Sequence, residues 1–70
     1  MKVFSIHSDF ITITQLLKAF GLINSGGQAK YFLLENTVLL NNVQITERGK
    51  KIYPKDKVQI GVDLYLIKHD

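Results

Sequence analysis

The sequence predicts an α+β domain: two short packed helices, then a small antiparallel sheet with added N- and C-terminal strands. Three observations carry this reading. Two hydroxyl-x-x-Gln signatures, each followed by an apolar face of helical spacing, lie within residues 12–36. Beyond them the apolar period changes from helical to alternating. The chain has 70 residues, enough for one domain and too few for two. At 46% hydrophobic residues it can bury a core, although a chain of this size hides only about 60% of its unfolded surface.

Taken in order, the N-terminal segment comes first. Phe4 and Ile6 share one face of an edge strand, Ser8-Asp9 break it, and residues 62–67 are its expected partner. Thr12 and Gln15 then form a capping box, with Thr14 as an alternative cap. Ile13, Leu16, Leu17 and Phe20 fall on one helical face, and Gly21 stands where a helix ends in a left-handed residue. Only three residues separate Gly21 from a second box, Ser25 with Gln28. Ala29, Phe32 and Leu33 make its inward face, and Asn36 is placed to cap its C-terminus. Helices this short are unstable alone, so they must pack on each other and on the sheet.

Asn41-Asn42 lies between two apolar triplets and suits a two-residue hairpin turn, because asparagine tolerates positive φ. Pro54-Lys55-Asp56 reads as a turn. From Val58 to Ile67 strict alternation predicts one long strand, buried on its Val58, Ile60, Val62, Leu64 and Leu66 face and bent or bulged at Gly61.

Function classes narrow by exclusion. The absence of cysteine removes disulfides, thiolate chemistry and cysteine-ligated zinc. His7 and His69 lie near opposite ends of the chain, and the carboxylates are scattered. Gly26-Gly27 completes neither a dinucleotide nor a P-loop fingerprint. No constellation of catalytic, metal-ligating or cofactor-binding residues emerges, so the expectation is a non-enzymatic protein without a cofactor, metal or small-molecule substrate. The longest apolar runs are Phe32–Leu34 and Val38–Leu40, too short for a membrane span or a signal-peptide core. The expected location is the cytoplasm.

The formal net charge is +3, from nine Lys and Arg against six Asp and Glu. Residues 46–57 alone hold +3, through Arg48, Lys50, Lys51, Lys55 and Lys57 against Glu47 and Asp56. A solvated loop would carry such charges, and so would a surface for an acidic partner.

With these positions laid out, residues 12–60 resemble the S4 RNA-binding domain family, and within it the small free-standing bacterial proteins of the YaaA type. The matching stretches are ITQLLKAFGLINSGGQAKYFLLENTVLLNNVQI and RGKKIYPKDKVQI. They supply Leu16, Leu17, Gly21, Leu22, Ser25, Ala29, Val38, Leu40, Asn41, Pro54 and Asp56 at the family's motif positions. Asn42 and Lys55 stand where the family usually has Gly, and Thr12 and Gly26 where many members are basic. The resemblance implies the αL motif of that family, with the helix pair and the following loop forming one RNA-facing surface. It points to structured RNA, ribosomal RNA or a ribosome precursor, as the partner.

Physical chemistry then assigns candidate roles on that surface. Backbone N–H groups at the Ser25-Gly26-Gly27-Gln28 helix start favour phosphate oxygens. Lys18 and Lys30 face outward as point charges, and Tyr31 offers a ring to a base or ribose. Arg48 can fork to a phosphate or stack, with Lys50 and Lys51 beside it and Gly49 turning the loop. Three to six phosphate contacts correspond to a log–log salt slope of roughly −2 to −5. Tyr53 is expected in the core or at its rim rather than as a stacking platform. The alternative is a protein-interaction module on the same scaffold, which an exposed Leu34 beside Tyr31 would favour.

Overall fold

A computed structural model describes all of residues 1–70. The strands and helices run β1 (Lys2–Ile6), β2 (Ile11–Thr12), α1 (Ile13–Ala19), α2 (Gly26–Glu35), β3 (Val38–Leu40), β4 (Val43–Gln44), β5 (Lys51–Ile52), β6 (Lys57–Ile60) and β7 (Asp63–His69). Five strands form one sheet in the order β1-β7-β6-β3-β4, and β2 pairs with β5 in a second, two-stranded sheet. The architecture is the α+β arrangement expected from the sequence.

Both helices begin where their capping boxes lie. Thr12 Oγ1 accepts from Gln15 N, and Gln15 Oε1 accepts from Thr12 N. In the second box the Gln28 arm carries the bonding: its Oε1 accepts from the backbone N–H groups of Asn24 and Ser25, while Ser25 makes no side-chain cap bond. Gly21 follows α1 with φ of +73°, as the left-handed residue that ends the helix. Asn36 caps α2 by donating from Nδ2 to Phe32 O, with extended rather than left-handed backbone.

The helices bury Ile13, Leu16, Leu17, Ala29 and Leu33 against Val38, Ile52, Val58 and Ile67, all at most 1% exposed. Each fully buried leucine or isoleucine contributes about 1.5–3 kcal/mol. Phe20 is only partly buried and joins the end of α1 to the sheet. It meets Phe4 edge-on at 5.1 Å between centroids and stacks on Tyr65 at 4.4 Å.

The hairpin at Asn41-Asn42 forms as read, with φ of 50° and 70° and Leu40 opposite Val43. Asn41 also ties that hairpin to the next turn. Its Nδ2 donates to Asp56 Oδ1, and its Oδ1 accepts from Lys57 N.

Two strand expectations need correction. The single long strand is two strands, β6 and β7, joined by a hairpin at Gly61-Val62, with Ile60 opposite Asp63. Gly61 has φ of +62°, which a two-residue Gly-X hairpin uses. The turn reverses which residues face inward, so Val58 and Ile67 are buried together, and Val62 is 95% exposed. Second, β1 pairs with β7 in parallel, Lys2 opposite Tyr65 through Ile6 opposite His69. The sheet is therefore mixed, with an antiparallel body and one parallel edge strand. That pairing brings the chain ends together, where His7 Nδ1 lies 2.8 Å from Asp70 Oδ2.

Candidate nucleic-acid interface

The β2–β5 ladder, which the sequence did not announce, positions the basic loop. Thr12 lies opposite Lys51, and Ile11 opposite Ile52. The ladder extends into the helix, because Ile13 N donates to Lys50 O at 2.9 Å. Thr14 Oγ1 then donates to Arg48 O at 2.6 Å. Three successive chain positions of the α1 start thus hold the backbone at 48, 50 and 51. Ile52, fully buried, anchors the far side of the loop in the core.

Thr14 also meets the second helix. A β-carbon placed on Gly26 would stand 3.8 Å from Thr14 Cγ2. One threonine therefore binds the Arg48 loop and lies close to the start of α2. Lys18 is four residues beyond Thr14, and Lys30 four beyond Gly26. Helical side chains lean toward the N-terminus of their own helix. Both lysines accordingly lean toward the end of the helix pair that holds the loop.

Ser25, Gly27, Gln28, Lys30, Tyr31, Arg48, Lys50, Lys51 and Lys18 are all exposed, and Gly26 is half-buried. The Gln28 carbonyl is engaged in capping. Tyr31 turns outward with Leu34 three residues on, at 64% and 67% exposure, on the face of α2 away from the core. None of Lys18, Lys30, Arg48, Lys50 or Lys51 has a carboxylate within ion-pair distance. Lys2, at the β1–β7 edge, is the one lysine or arginine that does. Lys2 Nζ lies 3.2 Å from Asp63 Oδ1, and the hydrogen bond and charge of Asp63 raise its pKa above the usual lysine value of 10.5.

The 46–57 segment is not one loop. Residues 46–50 face the helix starts, 51–52 form β5, and Lys55 occupies the turn before β6. Lys55 has φ of +79° and donates its N–H to Ile67 O, on the side of β7. The local excess of +3 is therefore divided between the helix-side loop and the β6–β7 side.

Near the site Phe10, which no sequence pattern singled out, meets Tyr53. Phe10 and Tyr53 approach at 5.8 Å between ring centroids, and Lys51 Nζ sits 4.9 Å from the Phe10 centroid. Tyr53 is 48% exposed, which places it at the rim. Only the short distance of Phe10 and Tyr53 from the paired isoleucines Ile11 and Ile52 hints at their meeting, and that pairing is itself long-range.

Comparison with known proteins agrees with the fold. A family model described as an S4 domain matches residues 4–68, so the match takes in part of β1 and nearly all of β7 as well as the 12–60 core. The chain is 46% identical over 56 residues to a Bacillus subtilis (strain 168) protein described as a "probable ribosome maturation protein RlbA", covering 80% of this chain and 79% of that one. By its helix pair, its hairpin, its Pro54–Asp56 turn and a match over nearly its whole length, the chain belongs to the S4 domain family.

Proposed function

We propose that this protein is a non-enzymatic RNA-binding protein that grips structured RNA, ribosomal RNA or a ribosome precursor, through Arg48, Lys50 and Lys51 beside the two helix starts. The observation that carries the reading is the junction at Thr14. Its hydroxyl holds the loop backbone close to the α2 start, and Lys18, Lys30, Arg48, Lys50 and Lys51 have no carboxylate partner. Unpaired cations on a backbone held by hydrogen bonds can neutralise phosphates without first breaking internal ion pairs. Lys18 and Lys30, with the backbone at Ser25, Gly26 and Gly27, extend the contact. The side-chain amide of Gln28 and the ring of Tyr31 lie at its margin. The ribosome-maturation description of the Bacillus relative supports a ribosomal target and a cytoplasmic place of work. No cofactor, membrane or small-molecule substrate enters this reading.

Titration against a structured RNA at several salt concentrations tests it. The expected log–log slope is roughly −2 to −5. Replacing Arg48, Lys50 and Lys51 together by alanine should weaken binding by about a hundredfold and flatten the slope by about 2 to 3. An unchanged affinity and slope would falsify the patch assignment.

A second reading rests on a specific feature, the outward Tyr31 and Leu34. Here the same scaffold serves as a protein-interaction module. A partner captured from lysate that survives nuclease treatment supports this second reading, whereas one lost with the RNA supports the first.

A further inference from the structure

Beside the basic loop stands a cluster that phosphate contacts alone do not use. Lys51 and Tyr53 are two residues apart on extended chain, so their side chains leave the same face. Phe10, just before β2, lies beneath both. Its ring is 5.8 Å from that of Tyr53 at an interplanar angle of 48°, and Lys51 Nζ lies 4.9 Å from its centroid. The backbone of Tyr53 is fixed by Asp56, through Tyr53 N to Asp56 Oδ2 at 2.8 Å and Asp56 N to Tyr53 O at 3.1 Å. Yet Tyr53 as a whole is 48% exposed, and its hydroxyl makes no hydrogen bond within the protein.

A rigidly mounted, half-exposed tyrosine beside a cation is a stacking platform with a phosphate ligand already in place. The cation–π contact with Phe10 holds the flexible Lys51 chain without neutralising its charge. Residues two apart on a strand are separated by about 6.6 Å, a spacing suited to a base and its own phosphate. We propose that Tyr53 and Lys51, buttressed by Phe10, form a subsite for one unpaired nucleotide of the RNA: the base stacks on Tyr53, and Lys51 takes the adjoining phosphate. The proposal rests on the RNA-binding reading and deepens it. The loop grips backbone charge, and the subsite selects an unpaired base, because bases within a duplex have both faces covered by their neighbours.

The experiment compares the full-length protein on a blunt RNA hairpin and on the same hairpin with a short adenosine overhang, each at several salt concentrations. The wild type should prefer the overhang by about five- to tenfold. Tyr53→Leu, which keeps apolar packing on Phe10, should abolish that preference without changing the salt slope, and Tyr53→Phe should retain it. If the wild type binds both hairpins with the expected salt dependence but equally well, the subsite is overturned and the basic surface stands. A Tyr53→Leu protein that keeps the preference, or loses affinity for both RNAs alike, overturns it too. Absence of salt-dependent binding to either RNA removes the broader reading and this one with it.

Discussion

The β1–β7 edge and the helix pair with its loop hold their cations in different surroundings. At the β1–β7 edge Lys2 is paired with Asp63, the His7 ring lies against Asp70, and Lys68 stands alone. Around the helix pair and its loop Lys18, Lys30, Arg48, Lys50 and Lys51 have no such partner, although Glu47 and Asp9 lie nearby in the chain. The difference is one of backbone as well as charge. The edge is joined by a regular parallel ladder, whereas the basic loop is held by a two-residue ladder, the Ile13–Lys50 bond and one threonine hydroxyl. An unremarkable total of +3 thus becomes informative through where its members cluster.

The largest effect should come from detaching the loop. Ile52 is fully buried beneath it, and Ile52→Ala removes its anchor. A loss of about 2–4 kcal/mol in unfolding free energy is expected by denaturant titration. RNA affinity should fall with it even though every cation is kept. If affinity survives in the folded fraction, the loop does not need its anchor, and the contrast between the regions is only one of charge.

Smaller and more local is Thr14→Val, which removes the 2.6 Å bond to Arg48 O with little change of shape. A cost of about 1 kcal/mol is expected. Hydrogen exchange should quicken at residues 48–51 and stay unchanged along β7. Equal quickening in both places would show that the loop has no independent tether.

Lys55→Gly runs the other way. Lys55 holds φ of +79°, a left-handed conformation that a side chain makes unfavourable by about 1 kcal/mol. Glycine should raise the thermal midpoint. Because Lys55 lies on the β7 side of the fold, the change should leave RNA affinity and salt slope intact while removing one positive charge. A fall in slope would move the binding surface toward that turn.

The smallest effect belongs to the edge. Lys2 is exposed, and its pKa is raised by Asp63, so the pairing favours folding below the ordinary lysine value of 10.5 and fades as pH rises through the higher folded value. Lys2→Met should therefore differ from wild type in thermal unfolding near neutrality, if only slightly, and converge with it in strong alkali. Divergence at high pH would mean that Lys2 acts through packing on Tyr65 rather than through charge.

Much of this was legible in the sequence where the rules are local. Two capping boxes gave both helix starts, the i, i+3, i+4 pattern gave Leu16, Leu17, Ala29 and Leu33 as core, and Asn41-Asn42 gave the hairpin. The break at Gly61 was hidden because β7 is apolar on both faces: Leu64 and Leu66 alternate with Tyr65 and Ile67, so a period of two has no phase to read. The parallel pairing of β1 joins residues more than sixty apart, which no local pattern encodes. β2 and β5 are two residues each, too short for any periodicity, and with them the Thr14 junction and the Phe10–Lys51–Tyr53 cluster were invisible. The candidate cations could be named from composition, but their shared backing by the start of α1 required the fold.

The central claim is that position, not total charge, makes the basic surface. The most direct test removes two charges from each region in turn and measures binding to one structured RNA across salt concentrations. Arg48→Ala with Lys50→Ala should weaken binding at least about tenfold and flatten the log–log slope by about 1.4 to 1.8. Lys2→Ala with Lys68→Ala, an equal loss of charge at the β1–β7 edge, should leave both unchanged. If the two double variants weaken binding equally, net charge alone drives association, and the account is contradicted.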